Sequence, residues 1–336
     1  MIPAKKEAGD VAAAPAFDDV IIRVDGLRHR YGDFAAVDGV SFAIRKGEIF
    51  SFLGPNGAGK STAINVLTTL LRIQEGTVTI AGHDLARDPR RVREDIGIVF
   101  QEVTLDRDLT VAETLEFHGM LYGLPRTERR RRIEALLDLV ELTAWAKVRT
   151  KRLSGGMKRR LEIARGLMTR PAVLFLDEPT IGLDPQTRLK MWDYLQAVNR
   201  EGTTIFLTTH YMDEADRLSD RIAIIDHGKI IAEGTPLSLK NALGEDIIML
   251  CTGDDQGAKE AITGMDGVAR IQETTAGLTL LVDGDGTHIL PRVMHRLEEA
   301  GIGVISVNLK KPSMDDVFVH FTGRELRDAT AREERE

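Results

Sequence analysis

Cysteine is almost missing from this chain. Cys251 stands alone in 336 residues, so no internal disulfide is available and the chain reads as intracellular. Aromatic residues make up only 5%, and no apolar run approaches the roughly 18 residues that would cross a bilayer. One of the longer runs, Ala172–Leu176, stops at Asp177 and Glu178. Residues 1–16 hold two lysines but no apolar stretch, so they are not expected to act as a secretory signal. A strong excess of either charge is absent too: 45 basic against 52 acidic side chains leave a net charge of -7. Residues 241–336 carry 10 basic and 18 acidic groups, so the acidity belongs to the C-terminal segment and the remainder is close to neutral. Neither part has the basic footprint of a nucleic-acid binder, and no such partner is expected.

What remains is a globular composition, 43% apolar and 29% charged, in a chain long enough for one large domain or two ordinary ones. Residues 1–17 are Ala/Pro-rich and are expected to form a disordered lead. Alternation at Val20–Val24 and Val40–Ile44 predicts strands, and Glu48–Leu53 a short buried one. Lys60–Leu71 has a helical pattern, and Thr77–Ala81 and Ile96–Phe100 read as strands. A second helical stretch runs from Val111 to about Val140, broken at Gly123-Leu124-Pro125. Val173–Leu176, Thr203–Thr208 and Arg221–Ile225 follow as strands. This alternation predicts an α/β domain over 18–240 with a helical subdomain at about 110–165. Beyond it, strands at Asp246–Cys251, Val268–Gln272, Leu278–Val282 and Val304–Leu309 interleave with helices at Gln256–Thr263 and His288–Ala300. With a closing helix at Ser313–Phe321, that order predicts a small ferredoxin-like α+β domain over 241–323. Residues 324–336 are nearly all charged and are expected to be a frayed tail.

Gly54-Pro55-Asn56-Gly57-Ala58-Gly59-Lys60-Ser61-Thr62 joins a strand to a helix. Glycines at this spacing let the backbone wrap a phosphate and turn successive N–H groups toward its oxygens. Lys60 adds a point charge on the β- and γ-phosphates, and the Ser61 hydroxyl is placed to ligate Mg²⁺. The strand Val173–Leu176 ends in two carboxylates with separate tasks. Asp177 holds the metal, while Glu178 faces the other way and can orient or deprotonate an attacking water. Leu153-Ser154-Gly155-Gly156-Met157 opens another helical run. Ser154 reads as its N-cap, and the free N–H groups at Gly155 and Gly156 can act either as a plain helix start or as a second clamp on the γ-phosphate.

In order and spacing, these three motifs resemble the ATP-binding-cassette (ABC) ATPases, a P-loop NTPase family, over roughly Val20–Pro236. The resemblance implies ATP and Mg²⁺ as cofactors and ATP hydrolysis coupled to transport. It also adds residues. Tyr31 matches the aromatic on which adenine stacks, and Leu183-Asp184 the loop that crosses the dimer interface. His210 matches a histidine on the γ-phosphate. Gln101 matches the glutamine that senses Mg²⁺ and water, with the following Glu102–Asp108 loop expected to receive a permease helix. The usual signature has Gln where Met157 stands. Met157, Pro312–Phe318 and Thr322-Gly323-Arg324 resemble the daunorubicin-resistance-type subgroup that exports drugs, antibiotics or lipids. Two such domains face head to tail around two ATP, so one chain with a single phosphate loop must pair with a second copy or a close relative. The implied protein is a peripheral subunit at the cytoplasmic face of the membrane, driving a separate permease. Its rival is a soluble ABC-type ATPase acting on nucleic acid or the ribosome, but such proteins usually carry two cassettes or long coiled coils, and this chain has neither.

The arginine-rich run Arg126–Arg132 is read as the solvated face of a helix whose apolar side is Ile133, Leu136, Leu137 and Val140, in preference to a headgroup or nucleic-acid patch. Cys251 reads as a small core residue, and the histidines other than His210 show no metal-ligand spacing. The C-terminal domain has no motif of its own, so an added dimer contact and a regulatory role stand level. A fragment without 241–336 is expected to keep Mg-ATP binding.

Overall fold

A computed structural model describes residues 19–244, 246–274 and 277–323. The expected lead at 1–17 and tail at 324–336 lie outside the described residues. In chain order the elements are β1 (Val20–Tyr31), β2 (Phe34–Arg45), β3 (Ile49–Leu53), α1 (Lys60–Leu67), β4 (Glu75–Ile80), β5 (His83–Asp84), α2 (Pro89–Asp95) and β6 (Ile96–Val99). Next come α3 (Val111–Leu121), α4 (Arg126–Leu139), α5 (Gly155–Leu167), β7 (Val173–Asp177), α6 (Pro185–Arg200), β8 (Thr204–Thr209), α7 (Met212–Leu218), β9 (Arg221–Asp226) and β10 (Lys229–Gly234). The last are α8 (Pro236–Asn241), β11 (Asp246–Thr252), α9 (Asp255–Ile262), β12 (Val268–Thr274), β13 (Gly277–Val282), α10 (Gly286–Glu299), β14 (Val304–Lys310) and α11 (Met314–Thr322). The chain packs as two units, one of residues up to Glu48 with Thr62–Phe206, the other of Ile49–Ser61 with Leu207 onward.

In the first unit, β1 and β2 form a long antiparallel hairpin, with β4 and β5 completing a sheet in the order β2-β1-β4-β5. Gly32, at φ 58°, makes the turn after Tyr31. β6 and β7 pair in parallel, from Ile96 opposite Val173 to Val99 opposite Leu176. All five residues of β7 are buried, as expected of a parallel strand covered on both faces. Three helices, α3 to α5, enclose a separate core of Val111, Leu115, Leu137, Val140, Leu142, Leu153 and Leu161, which is the expected helical insertion. Thr110 starts α3 with a reciprocal capping box to Glu113, and Gly123 at φ 68° followed by Pro125 separates α3 from α4.

The arginine run departs from its expected form. Arg131 is exposed and paired with Glu128, but Arg129 and Arg132 are largely buried. Arg129 bonds Glu116 and the Leu124 carbonyl, and Arg132 bonds Glu128 and the Met168 carbonyl. These stems lie along apolar surface while their heads fasten α4 to α3 and to the end of α5.

In the second unit, β3 pairs in parallel with β9, and β10 closes antiparallel on β9. The C-terminal sheet has the order β12-β13-β11-β14, every pair antiparallel, which is the ferredoxin-like arrangement. Alternation along β11 gives this sheet two buried faces. Ile248 and Leu250 face α9 and α10, packing on Ala258, Ile262, Ile289, Val293 and Leu297. Ile247 faces the other way, into a core with Leu53, Ile222, Ile224, Met314, Val317 and Phe318.

Candidate functional site

The phosphate loop and His210 belong to the second unit. A Cβ on Gly54 would stand 2.3 Å from the Ile225 carbonyl oxygen, so only glycine fits there. Gly57 and Gly59 take left-handed conformations, φ 77° and 103°, as a loop turning its N–H groups inward requires. The loop is tied at both ends: Gly54 N–H donates to the Thr209 carbonyl at 3.3 Å, and Gly228 N–H to the Ala58 carbonyl at 3.0 Å. Lys60 is buried and donates to the carbonyls of Gly54 at 2.8 Å and Pro55 at 3.0 Å, which folds its ammonium back over the loop. A glycine-rich loop at a helix N-terminus, with an ammonium folded over it, suits a triphosphate. Pro55 is half-buried, Asn56 and Ser61 are exposed, and Ser61 sits on the first turn of α1, followed by Thr62. His210 directly follows Thr209, its ring 4.2 Å from that of Tyr211. The fold thus brings His210 next to the start of the phosphate loop, about 150 residues away in sequence.

The other predicted residues belong to the first unit. Asp177 ends the buried strand β7, and Glu178 follows in a left-handed conformation, φ 45°. A side chain with a Cβ seldom adopts that backbone, which costs of order 1–3 kcal/mol and turns the chain sharply after Asp177. Gln101 is exposed just past β6. Ser154 caps α5, its hydroxyl accepting from Met157 N–H at 3.3 Å, with Gly155 and Gly156 as the first helical residues. No atom lies within 4 Å of a Cβ on Gly155, whereas one on Gly156 would meet Thr187 at 2.4 Å. Thr187 is itself held by Asp184, the N-cap of α6, through its N–H at 3.0 Å and hydroxyl at 2.6 Å. Those two donors lower the Asp184 carboxyl below the usual aspartate range. The signature turn therefore packs against the first turn of α6, which Asp184 caps. Met157 packs against the core of the helical insertion. Tyr31 is 51% exposed beside the hairpin turn, edge-on to buried His29 at 5.0 Å.

Sequence reasoning missed Arg159 and Glu162, both on α5 and both buried. Arg159 donates to the carbonyls of Phe100, Asp177, Glu178 and Pro179 and pairs with Glu162 at 3.2 Å. Their signal was available as charges three apart, Arg159, Glu162 and Arg165, on a helix flanked by Leu161 and Ile163. Such a stripe ordinarily faces solvent, and nothing local distinguishes the buried case.

The loop–helix cradle, the strand ending in two carboxylates and the capped glycine turn define a P-loop ATPase. The ABC transporter family model matches residues 37–181, and that of the C-terminal domain of DrrA1-3-like ATP-binding proteins matches 234–322. Daunorubicin resistance ATP-binding protein DrrA3 of Streptomyces coeruleorubidus is 42% identical over 311 residues, 92% of this chain and 98% of that protein. Nod factor export ATP-binding protein I of Ralstonia nicotianae is 38% identical, over 92% of this chain and 95% of its own. Among solved structures, the dimeric ATP-binding cassette MJ0796 in a post-hydrolysis state with ADP and Pi is 30% identical. It superposes with a TM-score of 0.58, covering 64% of this chain and 98% of that one. The chain belongs to the ABC transporter ATP-binding proteins, and its C-terminal segment to the DrrA1-3-like C-terminal domains. It is an ATPase subunit of an exporter; the rival reading of a soluble ATPase on nucleic acid or the ribosome is not favoured. Such subunits dimerise and work with a membrane permease, and no described helix of this chain is long and apolar enough to cross a membrane.

Proposed function

We propose that this chain is the motor of a drug, antibiotic or lipid exporter, acting as one of two ATPase subunits, a second copy or a close relative. The observation that carries the reading is a single phosphate loop and a single Ser154-capped glycine turn in one chain, so that each needs a facing subunit. In the pair, Gly54–Lys60 of one chain binds the triphosphate, and Ser154–Gly156 of the other closes on the γ-phosphate. Tyr31 offers its ring to adenine. Ser61, Asp177 and Gln101 would hold Mg²⁺, which when bound supplies positive charge at the β- and γ-phosphate oxygens. Glu178 orients the attacking water and takes its proton, His210 contacts the γ-phosphate, and Asp184 lies at the interface. When the γ-phosphate leaves, Ser154–Gly156 lose the anion they clamp and the pair opens.

Residues 18–240 form the motor in this reading, and 241–323 add a dimer contact or a regulatory surface. The subunit sits peripherally at the cytoplasmic face through its permease. Exposed Phe117, Met120 and Leu121 on α3 and Tyr122 just after it, with Leu70 beside a groove of about 380 Å³, support permease docking there. The 101–108 loop takes part in the same contact. Because the permease builds the cavity, this chain does not choose the compound. Glu178→Gln is expected to bind ATP normally and to accumulate an ATP-bound dimer by light scattering. A chain that stays monomeric at saturating ATP would rule out the sandwich.

A further inference from the structure

The guanidinium of Arg159 is only 4% exposed as a residue, yet every one of its five N–H groups has an acceptor. Nε donates to Pro179 O at 2.8 Å, and Nη2 to Asp177 O at 2.9 Å and Glu178 O at 3.1 Å. Nη1 donates to Phe100 O and to Glu162 Oε2, the latter at 3.2 Å. Phe100 immediately precedes Gln101. Glu162, fully buried, accepts through Oε1 from Thr104 N–H at 2.8 Å and Thr104 Oγ1 at 3.3 Å. Arg165 closes the group, donating to Thr104 Oγ1 at 2.8 Å and to Thr104 O at 3.2 Å. One face of α5 therefore pins the 101–103 loop at both ends. The same face holds the strained turn that carries Glu178.

A buried ion pair is a poor source of stability, because desolvation offsets most of its Coulombic gain. What this one supplies is geometry. A planar fork of five donors fixes three consecutive carbonyls and a fourth from another loop, which an ammonium with three donors cannot reproduce. The N-terminus of α5 is the Ser154 turn, about one and a half helical turns away. A helix is stiff over that length, so a displacement at Ser154 is carried to Arg159 and Glu162.

We infer that Arg159 and Glu162 are positioning residues that couple the Ser154 turn to Glu178 and Gln101 of the same chain. The inference rests on the roles proposed above for those residues. In the paired subunits, Ser154 touches one ATP while Glu178 serves the other. The α5 network is then the route by which closure on one nucleotide aligns the carboxylate and water-sensing loop at the second. ATP binding does not need it; turnover and the cooperativity of turnover do.

The test uses the full-length chain with Mg-ATP, measuring affinity with a fluorescent ATP analogue alongside steady-state hydrolysis. Arg159→Gln and Arg159→Lys are expected to keep nucleotide affinity within about threefold, to lower kcat by about tenfold or more, and to bring the Hill coefficient toward one. Glu162→Gln, which preserves shape, is expected to lower kcat in the same direction with affinity unchanged, and it serves should the arginine variants fail to fold. The Arg159→Gln/Glu162→Gln double variant should lose less than the product of the single losses, since the two act as a unit. Folded single variants with kcat within twofold of the parent would overturn the inference. So would a loss of nucleotide affinity in step with kcat, or single effects that simply multiply. A Glu178→Gln chain that hydrolyses ATP at the parent rate would instead remove the role of Glu178 on which the inference stands.

Discussion

Glycine at 156 is a packing requirement. Its missing Cβ leaves room for Thr187, whose hydroxyl is fixed by Asp184 and so cannot swing aside. Gly156→Ala is expected to push α5 and α6 apart at this point, at a cost of about 1–3 kcal/mol, and to reduce ATPase activity at least about tenfold. Thermal unfolding and steady-state hydrolysis check the two effects; unchanged activity would mean that the turn tolerates the shift. At this scale the phosphate loop, the carboxylate pair and the glycine turn were legible, because each is a local run of residues. Arg159 was not: its carbonyl partners lie 18 to 59 residues away, and carbonyls leave no mark in a sequence. Met157 shows the same limit, since its departure from the usual Gln was visible but its place in the helical core was not.

Among the elements, α3 carries a histidine whose titration bears on stability. His118 is mainly buried and lies near the charge of Arg165, and burial first, that charge second, push its pKa down to about 4. Above about pH 6.5 the ring is neutral folded or unfolded and costs nothing. As the pH falls from there toward about 4, the unfolded chain binds a proton that the folded chain refuses, so stability drops with acidification. His118→Gln is expected to remove part of that slope, seen as a smaller fall in Tm between pH 6.5 and 4 than in the parent; equal slopes would place the acid sensitivity elsewhere. Sequence periodicity located α3, α4 and α5 and the break between the first two, because caps and Gly/Pro breakers act locally. It placed the apolar face of α4 and its exposed Arg126, Arg130 and Arg131, but not Arg129 and Arg132, which are fastened to neighbouring elements. Periodicity sees polarity along one helix and cannot see what covers the polar face.

Across the whole molecule, the C-terminal domain cannot be treated as a detachable addition. Met314, Val317, Phe318, Ile247 and Leu281 share one core with Leu53, the residue before the phosphate loop, and with Ile222 and Ile224 of β9. Removing residues 241–336 strips that core from one side, at about 1.5–3 kcal/mol for each large side chain re-exposed. The fragment is now expected to be insoluble or to unfold well below the parent Tm, in contrast to the independent ATP binder that motif reading alone suggests. A soluble fragment with the parent's Tm would show that the shared core is dispensable.

Sequence was sufficient for local features that reside in short runs: the turns of Gly54–Lys60, the Asp177–Glu178 pair at a strand end, the Ser154 cap, and the order of strands and helices in the C-terminal domain; in the remainder α2, α6, α7 and β10 went unread. Backbone conformation and helix capping are set by near neighbours, so their residue types announce them. Tertiary structure was needed for the partners of Arg159 and Glu162, for the contact of Gly156 with Thr187, and for the core that joins Phe318 to Leu53. Each of these depends on which side of a helix or strand is covered by a segment distant in the chain, and burial of that kind is a property of the packed molecule.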